Sequence, residues 1–187
     1  MLSNLNMRDI KKKAVFFDRD GIFLKVILRE NGKYTPAYSI AEFKEKSGFI
    51  EGSLKIIEAA KVLGFIVILI TNQPDVRYGK ITQADFDWIQ SQVDILPLDD
   101  VCMCLHGKDD GCECRKPKPG MLLTVAQKWN IDLSASFFVG DMSIDMEAAK
   151  AAGCKSILVK THYNTEVRGD YVLASLAKTE DFIKILT

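Results

Sequence analysis

Asp18-Arg19-Asp20-Gly21 directly follows the short apolar run Ala14-Val15-Phe16-Phe17. Two carboxylates so close at the end of a strand candidate repel each other unless a cation or a shared proton sits between them. Magnesium takes oxygen ligands and commonly bridges carboxylates to a phosphate. The pair therefore suits phosphoryl transfer. Asp18 is the nucleophile candidate, giving an aspartyl-phosphate. Asp20 is the candidate acid and base, protonating the leaving oxygen and later deprotonating water. Gly21 permits a tight turn beyond the strand. Taken alone, the same residues read equally well as a solvated acidic turn.

Three further groups suit the same chemistry. Thr71-Asn72-Gln73 follows the apolar run Phe65 to Ile70, where a hydroxyl and backbone N–H groups can hold phosphate oxygens. Arg115-Lys116-Pro117 opens a helical pattern. A lysine there can neutralise the nucleophile and the transferring phosphoryl group, and an arginine can hold a second anionic group of the substrate. Gly140-Asp141 follows another apolar run, and Asp141 suits a metal ligand. Asp145 falls in the first turn of the next helix, where a carboxylate also favours the helix dipole. A catalytic and a structural role for Asp145 both remain open.

Four of the five cysteines lie between Cys102 and Cys114. Cys104, His106, Cys112 and Cys114 make a Cys-x-His…Cys-x-Cys set, and three sulfurs with one imidazole close a tetrahedral structural zinc site. The intervening loop, Gly107 to Gly111, is short and charged, so a metal crosslink would order it. Cys102 is the extra thiol, and Cys154 reads as a small buried hydrophobe.

These residues need a scaffold that brings distant strand ends together. The pattern predicts strands at Ala14–Phe17, Phe65–Ile70, Val101–Leu105, Ser136–Val139 and Ser156–Val159. Helices are expected over Ser53 to Leu63, from an N-cap at Thr82 to about Leu96, over Pro119 to Trp129, and over Ser143 to Ala152. Strands that alternate with helices and are apolar on both faces indicate a mostly parallel sheet, covered on both sides. Ligands in such sheets bind at the carboxyl ends of the strands, where the candidate residues stand. Lys25 to Phe43, with Tyr34, Pro36 and Tyr38, is either a flap over the site or a surface hairpin.

The chain of 187 residues suits one domain, residues 1–187, with the zinc loop at about 102–116. With 25 basic and 25 acidic residues, its formal charge is zero, which disfavours nucleic acid and membrane surfaces as partners. Met1 to Lys13 carries no signal-peptide pattern and no apolar run is long enough to span a bilayer, so a cytoplasmic location is expected.

The order of these motifs resembles the haloacid dehalogenase-like phosphatases, from about Val15 to Lys160. Cys104 to Gly120, with Phe17-Asp18-Arg19-Asp20-Gly21, Thr71-Asn72-Gln73, Arg77, Gly79-Lys80 and Val139-Gly140-Asp141, narrows the resemblance. It points to the zinc-containing heptose-bisphosphate and histidinol-phosphate phosphatases. The resemblance implies a Rossmann-like three-layer α/β sandwich with no large cap domain, monomeric or weakly dimeric. It also implies removal of one phosphate from a small phosphorylated sugar or amino-alcohol, with Mg2+ and Zn2+ as cofactors. Carried over, Asp18, Asp20, Thr71 and Lys116 are catalytic. Asn72 and Arg115 bind substrate, and Asp18, Asp20 and Asp141 hold magnesium. Leu24 and Met142 stand where the family often has Asn and Lys, which bears on specificity. Lys116 to Gly120 and Thr71 to Asp75 favour heptose 1,7-bisphosphate, with loss of its 7-phosphate. The short His106–Cys112 spacing favours histidinol phosphate. A polynucleotide 3′-phosphatase lacks a basic excess, and a zinc-stabilised binding module would have no use for the complete catalytic set.

Overall fold

The structure, a computed structural model, describes residues 11–187. The polar start, up to Ile10, lies outside the described residues.

Six parallel strands form the central sheet. They are β1 (Ala14–Phe17), β4 (Ile66–Asn72), β5 (Asp100–Cys104), β6 (Phe137–Gly140), β7 (Lys155–Val159) and β8 (Tyr171–Leu173). Their spatial order is β5-β4-β1-β6-β7-β8, and every pairing is parallel. A separate antiparallel hairpin joins β2 (Ile27–Leu28) to β3 (Tyr34–Thr35). The helices are α1 (Ile40–Lys46), α2 (Ser53–Val62), α3 (Gln83–Asp94), α4 (Gly120–Trp129), α5 (Ser143–Ala152) and α6 (Thr179–Leu186).

The period-2 alternation of the strands sorts side chains into two cores. Val15, Phe17, Val67 and Leu69 join Ile56 and Ile57 of α2, Phe86 and Ile89 of α3, and Phe182 of α6. Ala14, Phe16, Ile68 and Ile70 join Met121, Leu122 and Val125 of α4 and Ala148 and Ala149 of α5. The result is the expected three-layer α/β sandwich with both sheet faces covered. No closed barrel forms and no cap domain is inserted among the described residues, and no helix there is long and apolar enough to cross a membrane.

Several boundaries differ from the sequence reading. β4 runs on to Asn72, so Thr71 and Asn72 are the last strand residues rather than the turn after it. The helix capped by Thr82, whose hydroxyl accepts the Asp85 N–H, stops at Asp94 instead of Leu96. Ser136 precedes its strand. Its hydroxyl donates to the Asp132 carbonyl and accepts the Ala14 N–H, tying β1 to the chain before β6. The segment 25–43 is a hairpin followed by α1, whose N-cap Ser39 accepts the Glu42 N–H. Three elements, α1, β8 and α6, have no counterpart in the sequence reading. β8 has only three residues and leaves Val172 half exposed, too little alternation to read. α6 buries Phe182 and Leu186 at helical spacing, a signal present in the sequence.

Candidate active site

The carboxyl ends of β1, β4 and β6 meet the loop before α4, and their polar residues converge. Asp18 continues β1, with its N–H on the Val139 carbonyl of β6 at 3.0 Å. The Lys116 ammonium, almost wholly buried, reaches Asp18 Oδ1 at 2.8 Å, Asp145 Oδ1 at 2.7 Å and the Ile70 carbonyl at 3.2 Å. The Arg19 N–H also donates to Asp18 Oδ1, at 2.8 Å.

Two glycines allow this crowding. Gly21 has φ +85, and a Cβ there would fall 2.2 Å from Asp141 Oδ2. A Cβ on Gly140 would fall 2.4 Å from that of Asp145. Glycine at the two strand ends thus lets the carboxylates approach the backbone.

The site holds more negative than positive charge. Burial, then the Asp145 and Asp18 charges, push the Asp141 carboxyl up to about 8. Burial likewise raises Asp145 to about 6, against the opposing pull of Lys116. For Lys116, burial works to lower its pKa, but Asp145 and Asp18 outweigh it and hold it raised. Asp141 Oδ1 is buried with no hydrogen-bond partner. Carboxylate oxygens of Asp18, Asp141 and Asp145 lie within 4.8 Å of one another. Three clustered acids, one ammonium and an orphaned oxygen fit a hard divalent cation.

Asp20 stands apart from that group. Arg19 Nε lies 3.3 and 3.2 Å from its two oxygens, and Gln73 Nε2 donates to Oδ2 at 2.7 Å. Gln73 also donates to the Thr71 hydroxyl at 2.9 Å and accepts from Arg19 Nη2 at 2.5 Å. Arg19, buried, completes its fork on Gln90 at 3.1 Å. Asn72 clamps the Lys116 backbone both ways, donating to its carbonyl at 3.1 Å and accepting its N–H at 3.0 Å. The side chain of Asn72 therefore sets the lysine in place.

A cavity of about 330 Å³ opens over these groups, lined by Asp18, Asp20, Thr71, Asn72, Arg115, Lys116 and Asp141. The structure thus brings these seven site candidates from the sequence to one cavity, while Asp145, fully buried on Lys116, lies outside its lining. Its outer wall is Val26, Tyr34, Thr35, Pro36 and Tyr38 from the 25–43 segment, with Lys80, Met142, Ile144 and Tyr163. Leu24 is buried instead. Arg19, Gln73 and Tyr163 were missed. An arginine between two aspartates reads as solvated, and Tyr163 lies in a stretch without periodicity.

The zinc candidates also converge. Cys104 Sγ lies 3.7 Å from Cys112 Sγ, 3.2 Å from Cys114 Sγ and 3.6 Å from His106 Nδ1, and His106 Nδ1 lies 3.2 Å from Cys114 Sγ. Zinc–sulfur bonds of about 2.3 Å in a tetrahedron would set sulfurs about 3.8 Å apart, so the donor set and spacing fit that ion. Cys102 is outside the cluster. Arg115 Nη1 donates to the His106 carbonyl at 3.0 Å, which links this loop to the cavity wall.

Residues 113–179 match the HAD-hydrolase-like family model. The D-glycero-beta-D-manno-heptose-1,7-bisphosphate 7-phosphatase of Pasteurella multocida is 35% identical, over 92% of this chain and 97% of its own. The protein of that name from Escherichia coli K12 is 34% identical, over 91% and 93%. The crystal structure of D,D-heptose 1.7-bisphosphate phosphatase from B. bronchiseptica, complexed with magnesium and phosphate, superposes with a TM-score of 0.74. It is 29% identical and aligns over 92% of this chain and 99% of that one. The converging strand ends and these relatives, similar over about nine tenths of the chain, place it among the haloacid dehalogenase-like phosphatases, in the family of the heptose-1,7-bisphosphate 7-phosphatases.

Proposed function

We propose that this chain, acting as one domain, removes the 7-phosphate of D-glycero-D-manno-heptose 1,7-bisphosphate. The observation that carries the reading is the Asp18–Lys116–Asp141 cluster at the strand ends of a chain that aligns with its named relatives over about nine tenths of its length. Lys116 and the Arg19 N–H both hold Asp18 Oδ1, so Oδ2 is the attacking oxygen. The bond from Oδ2 to phosphorus forms as the bond from phosphorus to the sugar oxygen breaks, and Asp20 gives that oxygen its proton. Asp20 then takes a proton from the water that attacks phosphorus, and Asp18 and inorganic phosphate are released.

Lys116 spreads its charge over the nucleophile and the transferring group. Thr71, with its hydroxyl held by Gln73, faces the phosphate oxygens, and Arg115 meets the distal phosphate. Asp18 and Asp141 would hold Mg2+, which would draw charge from the phosphoryl oxygens; the Asp20 carboxylate, the third ligand expected from the sequence, lies outside that cluster. Asp20, carried by Arg19 and Gln73, keeps its carboxyl for proton transfer. Asp145 orients Lys116. Cys104, His106, Cys112 and Cys114 hold Zn2+, which fixes the loop that carries Arg115 and Lys116. The 25–43 segment is a specificity flap. A cytoplasmic location and a monomer or weak homodimer belong to the same proposal.

The test is magnesium-dependent phosphate release from heptose 1,7-bisphosphate beside histidinol phosphate. The heptose ester is expected to be the better substrate, and Asp18→Asn to abolish turnover while the melting midpoint holds. Faster release from histidinol phosphate would overturn the substrate, and an active Asp18→Asn would overturn the nucleophile.

A further inference from the structure

The loop after β7 grips Asp141 at two points. Asn164, buried, donates its amide to the Asp141 carbonyl at 2.8 Å and to the Val159 carbonyl at 2.8 Å. Its own Oδ1 accepts the Thr161 N–H at 2.9 Å. The next grip is on the side chain itself. Tyr163 donates its hydroxyl to Asp141 Oδ2 at 2.6 Å. Gly21 stands on that same oxygen, where a Cβ would clash at 2.2 Å. Oδ2 is therefore fixed by a donor and by backbone, while Oδ1 stays buried and unpartnered.

Tyr163 is itself held by the flap. Its ring lies on Tyr34 of β3, with centroids 4.4 Å apart and planes inclined by 30°. The Tyr34 hydroxyl meets His162 Nε2 at 2.5 Å.

We infer that Tyr163 is a positioning residue for Asp141. It pins one carboxylate oxygen so that the other is presented to the divalent cation, and Tyr34 with His162 holds it there. The inference rests on the proposed role of Asp141 as a cation ligand. Groups that orient a metal ligand in this way typically change metal affinity by about 10- to 100-fold when removed. Tyr163→Phe keeps the ring and its stack and deletes only the hydroxyl.

The experiment is Mn2+ binding to the full chain without substrate, followed by electron paramagnetic resonance, in wild type, Tyr163→Phe, Tyr34→Leu and Asp141→Asn. Tyr163→Phe should weaken Mn2+ binding by about 10-fold or more, with an unchanged metal-free melting midpoint. In turnover its Mg2+ requirement should rise while kcat at saturating Mg2+ holds. Tyr34→Leu should give a smaller loss of the same sign. Binding by Tyr163→Phe within about threefold of wild type, with Asp141→Asn defective, would overturn the role of Tyr163 and leave the cation site standing. Unchanged binding by Asp141→Asn would overturn the ligand assignment and this inference with it. No loss in Tyr34→Leu would overturn the part given to the flap.

Discussion

Lys116→Met tests the electrostatics of the site most directly. Methionine nearly matches the lysine stem in length, so the packing around the buried side chain is kept and the ammonium alone is lost. Asp145, fully buried, then loses its 2.7 Å ion pair, and Asp18 loses one of 2.8 Å. Removing one partner of a buried ion pair costs about 3–5 kcal/mol. Proton uptake caps that figure. An ordinary carboxyl is protonated at pH 7 for about 4 kcal/mol, and Asp145 already sits near 6 beside the lysine. Asp145 can thus add only about 1.4 kcal/mol at pH 7, and with the partner lost to Asp18 the expected penalty is about 2–3 kcal/mol, or a melting midpoint lower by roughly 4–12 °C in a chain of this size. The sign with pH follows from the folded carboxyl binding its proton more tightly than the unfolded one. Stability in the variant falls as pH rises through neutrality, so its deficit should shrink by about 1.4 kcal/mol per unit for one carboxyl as pH falls to about 6, and level off below, where wild-type Asp145 also takes its proton. Thermal melts of metal-free wild type and variant at pH 5 and 7.5 read this directly. A midpoint within about 2 °C of wild type at pH 7.5, with no trend between the two pH values, would refute the reasoning, because the acids would then need no buried countercharge. Turnover in the variant should fall by about 10²–10³-fold.

Cys112→Ser should lower both zinc content and melting midpoint before it alters the chemistry. Retention of one equivalent of zinc, read by elemental analysis, would count against the ligand set. Arg29 forks onto Glu42 at 2.5 and 2.8 Å, and that hydrogen bonding holds the Glu42 carboxylate down to about 2. A depressed folded pKa adds stability above the ordinary value of 4.5, lost as pH falls towards 2. Glu42→Gln should cost about 1 kcal/mol at pH 7, since the pair is partly exposed, and nothing at pH 2. Melts at the two pH values check it, and an equal deficit at both would exclude the ion pair as the cause.

The main lines of this protein were legible in residue order alone. Apolar runs such as Phe65 to Ile70 announce buried strands, and the position of Asp18, Thr71 and Asp141 at strand ends follows from the parallel architecture. The zinc set was legible because its ligands are local. Cys104 and Cys114 are ten residues apart on a loop too short and polar to have another reason for them. Tertiary structure decided which polar groups face each other across the sheet. Asp145 gained a structural role only because burial set it on Lys116, 29 residues away. Arg19 and Gln73 turned inward to hold Asp20, and Asn72 spent its side chain on the lysine backbone, choices that depend on rotamers between neighbouring strands. Tyr34 and His162 are 128 residues apart and meet only when the hairpin folds against the loop after β7. Periodicity reports which face of an element is buried. It carries no information on the partner that a buried polar group will find there, since that depends on which elements pack side by side.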